Sequence, residues 1–578
     1  VNVQALLPLP VVIPIVGAIG ALLVGRLHRL LPLLVGIGAM AVSLGVLLLI
    51  ATQVLAGHGQ VITTYLSDEQ PFRGRALGIA FSADPFGIVV ALLAAALGAV
   101  LLTSALSELG HLGRRELGLL ACLSLLMLAG VIGSALTDDL VNLFVWFEVA
   151  GLASFGLTGF FLEQPTALEA AFKATVLTSI GGFVIFAGSA MLYALTGALN
   201  FGQLQHALPG AASRGTSVAV ALVVCGYAIK AGLVPFHAWL PDAHAAGPGA
   251  VSAMFSAVLV DLGVVGLVRM LICTRTVLPR LDDLLLGLGI TSAVVGALLA
   301  LAQDDLKRLL AWDTVSQAGI IVVGFASNDA EGISGAVYHL ANHGLFKALL
   351  FLSAGAVLHA TGLGKLSELG GLWRRRRVLT AGFTVGALAI SGVPPLNGYA
   401  SLGLIHQGVA DDPVVHVLAL TAQVLTVAAL ARATYLGFYR PRAQEYEHLE
   451  TQHIGMRIGL GSLAIGCAAF GVLPTLIVPR IAAPAASFVL HTSAHAAGAT
   501  AGVSTVPALS IPAGLSGGTD LVTSLGEIIA GILLAAAYIR WGEPRPVGWL
   551  RRLHTGSVND YATFAVAGIL LVSVTLLA

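Results

Sequence analysis

Lysine is the most conspicuous side chain in an apolar run, and Lys230 sits in one. The stretch from Cys225 to Pro248, CGYAIKAGLVPFHAWLPDAHAAGP, continues an apolar segment that starts near Ser217 and is interrupted at Pro235. An ammonium at bilayer depth costs about 3 kcal/mol on insertion scales, so it is kept only where a partner or a water-filled cavity meets it. The proline frees carbonyls that protein or cavity water must satisfy, and broken helices of this kind mark transport sites near the midplane. A kinked helix whose lysine snorkels to the interface is the plainer alternative.

Glu148, in NLFVWFEVAGLASFGL, lies nearly two turns into its own apolar run and carries the same penalty. A Glu148–Lys230 pair across two helices satisfies both charges, and making and breaking it moves a proton with no redox group. A static ion pair is the competing reading. In YHLANHGLFKALLFLSAGAV, His339, His343 and Lys347 fall at i, i+4 and i+8, one helical stripe about 12 Å long. Histidine titrates near neutral pH, so this stripe reads as a proton wire rather than as hydrogen-bonded core residues. Asp261, in MFSAVLVDLGVVGLVRM, is a further intramembrane charge, expected beside Lys230 as a second acid competing with Glu148. Asp304, Asp305, Lys307 and Arg308 read as a solvated loop with no transport role.

The elements that must hold these groups follow from composition. Hydrophobic residues make up 57% of 578 positions and charged residues 10%, which defines an all-α polytopic membrane protein. The formal net charge of zero gives no case for nucleic acid. Four cysteines, each alone in an apolar stretch, read as core residues and not as metal ligands. With no Gly-rich phosphate loop and no room for a large soluble domain, the chain is expected to carry no cofactor, metal or redox centre. Any such chemistry belongs to partner subunits.

Apolar runs give about 16 spans. Placing both termini outside collects most Lys and Arg in the cytoplasmic loops, including Arg374 to Arg377, so the N-terminus is expected outside a cell inner (plasma) membrane. The loop with Arg269, Arg275 and Arg280 runs against that rule. Residues 1–110 hold three spans and a hairpin loop between Gly57 and Asp84. Spans 4 to 8 (111–275) and 9 to 13 (276–440) form two inverted five-helix repeats, because the seventh span breaks at Pro235 and the twelfth at Pro394-Pro395, five spans apart. A fourteenth span (441–480) completes the core. Ala, Gly, Ser, Thr and Pro from Arg480 to Asp520 predict a linker (481–520) rather than a stable helix, leaving two C-terminal spans (521–578) as an appendage.

FVWFEVAGL, KAGLVPFHAWLPDAH, DLKRLLAWDTVSQAG, HLANHGLFKALLFLSAGAV and SGVPPLNGYAS, in this order, resemble the antiporter-like membrane subunits shared by respiratory complex I, Mrp antiporters and energy-converting hydrogenases. The likeness spans roughly residues 80–440 and is nearest to hydrogenase-4 component B-like members. It implies 14 core helices with helices 7 and 12 broken, a polar axis along the midplane, and membership of a multisubunit complex. Glu148 matches the family's helix 5 glutamate, Lys230 its helix 7 lysine, and His339, His343 and Lys347 its helix 11 relay. The chain departs from the pattern at Asp261, where helix 8 usually has Lys or His, and at Leu402, where helix 12 usually has Lys or Glu. It departs again at Gly182, an acidic position on helix 6 in some members.

The expectation is a proton-translocating subunit of a multisubunit membrane complex, with Glu148, Lys230, Asp261, His339, His343 and Lys347 as working residues. Its partners are other membrane subunits, the bilayer, and protons or Na⁺. Which complex this is stays open from sequence alone, an oxidoreductase of hydrogenase or NADH-quinone oxidoreductase type being one setting for such a subunit. An Mrp-type Na⁺/H⁺ antiporter subunit is the alternative in the same class, since carboxylates such as Asp261 suit hard cations. A non-conducting scaffold is the alternative from a different class, and Leu402 is its argument.

Overall fold

The computed structural model describes residues 2–66, 78–442, 446, 453–491, 502–511, 517–552, 554 and 556–577. We number the membrane helices α1 (Leu9–Val24), α2 (Leu31–Val54), α3 (Pro85–Glu108), α4 (Arg114–Ala135), α5 (Leu140–Thr158), α6 (Pro165–Thr196), α7a (Arg214–Ala231) and α7b (Trp239–Ala246). There follow α8 (Gly249–Thr274), α9 (Arg280–Leu301), α10 (Leu306–Ala326), α11 (Ala330–Thr361), α12a (Arg377–Ile390), α12b (Asn397–Gly408), α13 (Pro413–Tyr439), α14 (Ile454–Val472), α15 (Gly517–Trp541) and α16 (Val558–Leu577). Among the described residues, 15 helices are long and apolar enough to cross a membrane, and α12 runs in two shorter pieces. The chain is therefore a multi-pass membrane protein whose membrane-spanning part is helical.

Polar caps set where these apolar runs begin. Asp84, Asp139, Ser213, Asp305, Asp329 and Asp412 each accept hydrogen bonds from first-turn N–H groups of the helix that follows. The two interruptions share one chemistry. α7a stops at Gly232 (φ +70°) and α12a just before Gly392 (φ +71°), a left-handed conformation that glycine alone enters without cost. Each glycine is followed three residues later by a proline after a cis peptide bond, Pro235 and Pro395. This common Gly-x-x-Pro break agrees with two related halves.

α8 and α10 are buried along their most apolar windows and form the centre, as expected for helices apolar on every side. α1, α2, α15 and α16 leave most of theirs uncovered by this chain. Two of the three basic residues that oppose the loop-charge rule are neutralised: Arg269 pairs with Asp84 at 2.5 Å and Arg275 with Asp282 at 3.0 Å.

Between α2 and α3, β1 (Gln60–Tyr65) pairs antiparallel with β2 (Ala80–Ala83), with Thr63 opposite Ser82; part of the connecting loop, 67–77, lies outside the described residues. A third strand, β3 (Val503–Thr505), pairs with β1 and ties the region after α14 to the region before α3. The composition that predicts a linker from Arg480 gives helix instead as far as Leu490, within the apolar helix Pro474–Leu490. Its apolar residues pack closely: Ala485, Ala486, Phe488 and Val489 are fully buried, and that packing holds the segment helical. Residues 492–501 and 512–516 of the expected linker lie outside the described residues.

The last two helices dock on the two breaks. Ser524 of α15 donates to the Gly392 carbonyl at 2.9 Å. Gly568 of α16 leaves no room for a β-carbon against Pro235 and Phe236.

Candidate functional site

Lys230 lies in the last turn of α7a with no solvent exposure, and its Nζ has no hydrogen-bond partner among the described residues. Two aromatic faces cover it, Phe147 at 5.3 Å and Trp239 at 5.7 Å, and the Trp239 Nε1–H donates to the Ile229 carbonyl at 2.7 Å, closing the break over the ammonium. A β-carbon on Gly151 of α5 would stand 3.8 Å from Nζ. One turn before Gly151 on that helix is Glu148, the charged group that acts on Lys230 electrostatically. Glu148 is half-buried, and its carboxylate occupies the space a side chain at Gly182 would need. The two groups therefore face each other without a direct ion pair.

The second centre is a direct pair. Lys347 of α11 donates to Asp313 Oδ2 at 2.6 Å and to the Leu310 carbonyl at 3.0 Å, with both side chains fully buried. Asp313 lies two turns into α10, at nearly the same depth as Glu148 in α5, its counterpart in the first repeat. His343 is completely buried, with both ring nitrogens lacking partners among the described residues. It interacts electrostatically with Lys347, His339 and His244. His339 is held at both nitrogens, by Ser401 Oγ and Gln317 Oε1, each at 2.9 Å. All three residues of the α11 stripe are buried within the bundle.

His244 of α7b joins the two centres. It is fully buried, its nitrogens make no hydrogen bond to another side chain among the described residues, the Leu240 carbonyl one turn earlier being the polar group at the ring, and it is influenced by both Lys347 and Lys230. The rings of Trp239, Phe255 and Phe351 surround it at 5.8 to 6.1 Å. The resulting order is Glu148, Lys230, His244, Lys347 with Asp313, His343, His339. Each member is a group able to take up or release a proton, in a setting that excludes bulk water.

Asp261 does not join Lys230. It is 1% exposed, and both carboxylate oxygens lack hydrogen-bond partners among the described residues. The second acid expected beside Lys230 therefore makes no hydrogen bond to it; a π turn at Phe255–Leu259 immediately precedes it in α8. The extra residue in that turn shifts the face that helical spacing assigns to everything after it.

Lys307 is also not solvated. It is 7% exposed and donates to the Gly247 carbonyl at 2.6 Å, beside Glu108, whose carboxylate caps Gly249 and Ala250 at 2.6 and 2.9 Å. Close by, Asp242 bridges Lys173 at 3.1 Å and Arg308 at 2.6 Å, fixing α7b between α6 and α10. At the α7 break His237 Nε2 meets His554 Nε2 at 2.9 Å, and burial holds the His554 imidazole below its usual range.

Sequence reasoning passed over Asp313, His244, Gln317 and Glu108. Asp313, like Glu148, lies two turns into its helix, but the charged run Asp304 to Arg308 just before it masked the signal.

The chain belongs to the NADH:quinone oxidoreductase/Mrp antiporter transmembrane family, which matches residues 137–426. It is 34% identical over 410 residues to an uncharacterized protein of Mycobacterium tuberculosis, covering 66% of this chain but only 63% of that one. A component of the Na(+)/H(+) antiporter of Alkalihalophilus pseudofirmus is 30% identical over 457 residues, covering 77% of this chain and 88% of the relative. A chain in the Mrp complex from a Dietzia species has the same fold, with a TM-score of 0.79 at 22% identity, covering 86% of this chain and 100% of that one. Other relatives are hydrogenase-4 component B and a component of NADH-quinone oxidoreductase, so all three branches suggested by the motifs recur.

Proposed function

We propose that this chain is the proton-translocating, antiporter-like subunit of a multisubunit energy-converting complex in the plasma membrane, with its N-terminus outside. The observation that carries this reading is the series of protonatable groups that runs from half-buried Glu148 through the fully buried Lys230, His244, Lys347 and His343 to His339. Buried ion pairs and unpartnered imidazoles are poor stability devices, so their retention argues for ion movement and against a passive scaffold. Lys230, unpaired and within the field of Glu148, takes and gives up a proton as that carboxylate gains or loses its own. His244 passes the change to the Lys347–Asp313 pair, and His343 and His339 carry it onward.

Partner subunits are supported by the half-exposure of Glu148 on a membrane-facing helix, since a carboxylate left against lipid costs several kcal/mol. The relatives named as parts of Mrp, hydrogenase-4 and quinone-reductase systems support the same assignment. Mrp-type Na⁺/H⁺ exchange is a second reading, favoured by the two unpartnered oxygens of Asp261, which are hard donors. The test is proton flux into proteoliposomes holding the native complex. Lys230→Ala should abolish it, and undiminished flux would falsify the relay.

A further inference from the structure

The relay described above ends at His339, yet a cluster of protonatable groups continues beyond it. His339 interacts electrostatically with His406, which lies on α12b one turn after Leu402. His406 is 7% exposed, and its Nδ1 is 3.9 Å from Oε1 of Glu527, an 8%-exposed carboxylate on α15. His416, at the start of α13, stacks edge-on against His406 with ring centres 5.9 Å apart and donates its Nδ1–H to the His406 carbonyl at 3.1 Å. That bond leaves the His416 Nε2 as the acceptor when the ring is neutral. At 3.9 Å the His406–Glu527 contact is too long for a hydrogen bond, and both Glu527 Oε1 and His406 Nε2 are buried without hydrogen-bond partners among the described residues.

These groups line a cavity of about 190 Å³ at the turn between α12b and α13, with Leu402, Ser524 and Asp520 also in its wall. That volume holds several waters, and a polar cavity with unsatisfied donors and acceptors retains them. α15 is fixed at this spot. Ser524 bonds the Gly392 carbonyl at 2.9 Å, and Gln407 of α12b donates to Asp520 at 2.7 Å.

We infer that His406 and Glu527 form the terminal protonation site of the axis, with α15 supplying the charge that Leu402 does not. The inference rests on the relay reading. A proton leaving His339 reaches His406 by way of Ser401 or cavity water. The His406 imidazolium then gives its Nδ1 proton to Glu527 Oε1, leaving a neutral imidazole and a carboxylic acid. The acid passes the proton to cavity water, which restores the carboxylate, and no electrons move at any step. On this account the fifteenth helix is a working part of the pathway rather than an appendage, and the acid has moved from α12 to a neighbouring helix.

The experiment measures proton flux in proteoliposomes of the native complex carrying Glu527→Gln, Glu527→Asp, or Glu527→Gln combined with Leu402→Glu, beside Lys230→Ala. The expected result is at least a tenfold loss for Glu527→Gln, substantial flux for Glu527→Asp, and recovery when Leu402→Glu returns a carboxylate to the same cavity. Flux within twofold of the parent for Glu527→Gln, with Lys230→Ala inactive, overturns this inference and leaves the relay standing. If both variants are silent, the relay itself fails. Should Glu527→Gln disturb assembly, His406→Gln is read in its place, and parental flux there overturns the terminal site.

Discussion

Asp313 and Lys347 form a 2.6 Å ion pair between α10 and α11, with neither side chain reaching solvent. Nothing comparable holds Lys230, whose nearest neighbours are aromatic faces and a carboxylate outside direct contact. One lysine is locked and the other is poised. Removing one partner of the locked pair leaves a buried charge, which typically costs about 3–5 kcal/mol. Asp313→Asn should therefore lower thermal stability in detergent, while Asp313→Asn with Lys347→Met should recover most of it. Flux should remain lost in both. Full flux in the stable double variant would show the pair to be structural.

Gly182 makes room for the Glu148 carboxylate, so a methyl group there must displace it. Gly182→Ala is expected to reduce proton flux as far as Glu148→Gln does, with an overpacking cost of about 1–3 kcal/mol. The two changes combined should be no worse than either alone, because they remove the same interaction. Additive losses in that double variant would mean the glycine acts by another route.

Glu148, Lys230 and the α11 stripe were legible because a charge or a 4-residue repeat of histidine in an apolar run announces itself. The break at Pro235 and its partner at Pro395 were legible because few residues can leave a helix that way. Asp313 was not, because Asp304, Asp305, Lys307 and Arg308 just before it read as a charged loop running into the helix. Lys307 misled for a related reason: its partner is a backbone carbonyl, Gly247, which no side-chain pattern reveals. Asp261 was visible as a buried charge, but its surroundings are set by tertiary packing, and it follows a π turn that helical periodicity does not register. The docking of α15 and α16 on the two breaks is a tertiary fact, made by a serine and a glycine that carry no periodic signal.

His244 is the joint between the halves, and its ring is packed by three aromatic side chains. His244→Phe keeps the bulk and apolar contact while removing both nitrogens. The expected outcome is an assembled complex of near-parental thermal stability with flux reduced by about tenfold or more, equivalent to at least about 1.4 kcal/mol on the limiting barrier. A variant that conducts normally would disconnect His244 from the path and require water to bridge Lys230 and Lys347.

Asp261 separates the proton reading from the sodium reading. A carboxyl with no hydrogen bond and 1% exposure is not left bare; it carries a proton, a cation or water. If Na⁺ resides there, it binds the folded state and raises its stability by about 2.7 kcal/mol at a hundredfold excess over its dissociation constant. Unfolding of the purified complex should then shift upward with NaCl but not with choline chloride, and Asp261→Asn should remove the difference. If the group simply holds a proton, Asp261→Asn copies the neutral acid in shape. Stability should then be unchanged or higher, and indifferent to Na⁺. Since Asp261 makes no hydrogen bond to any group of the axis among the described residues, the proton reading expects flux in Asp261→Asn to stay within a few-fold of the parent, whereas Lys230→Ala stops it. Loss of flux together with loss of the Na⁺ effect would instead assign the aspartate to cation exchange, with Lys230 and Glu148 serving the proton arm alone.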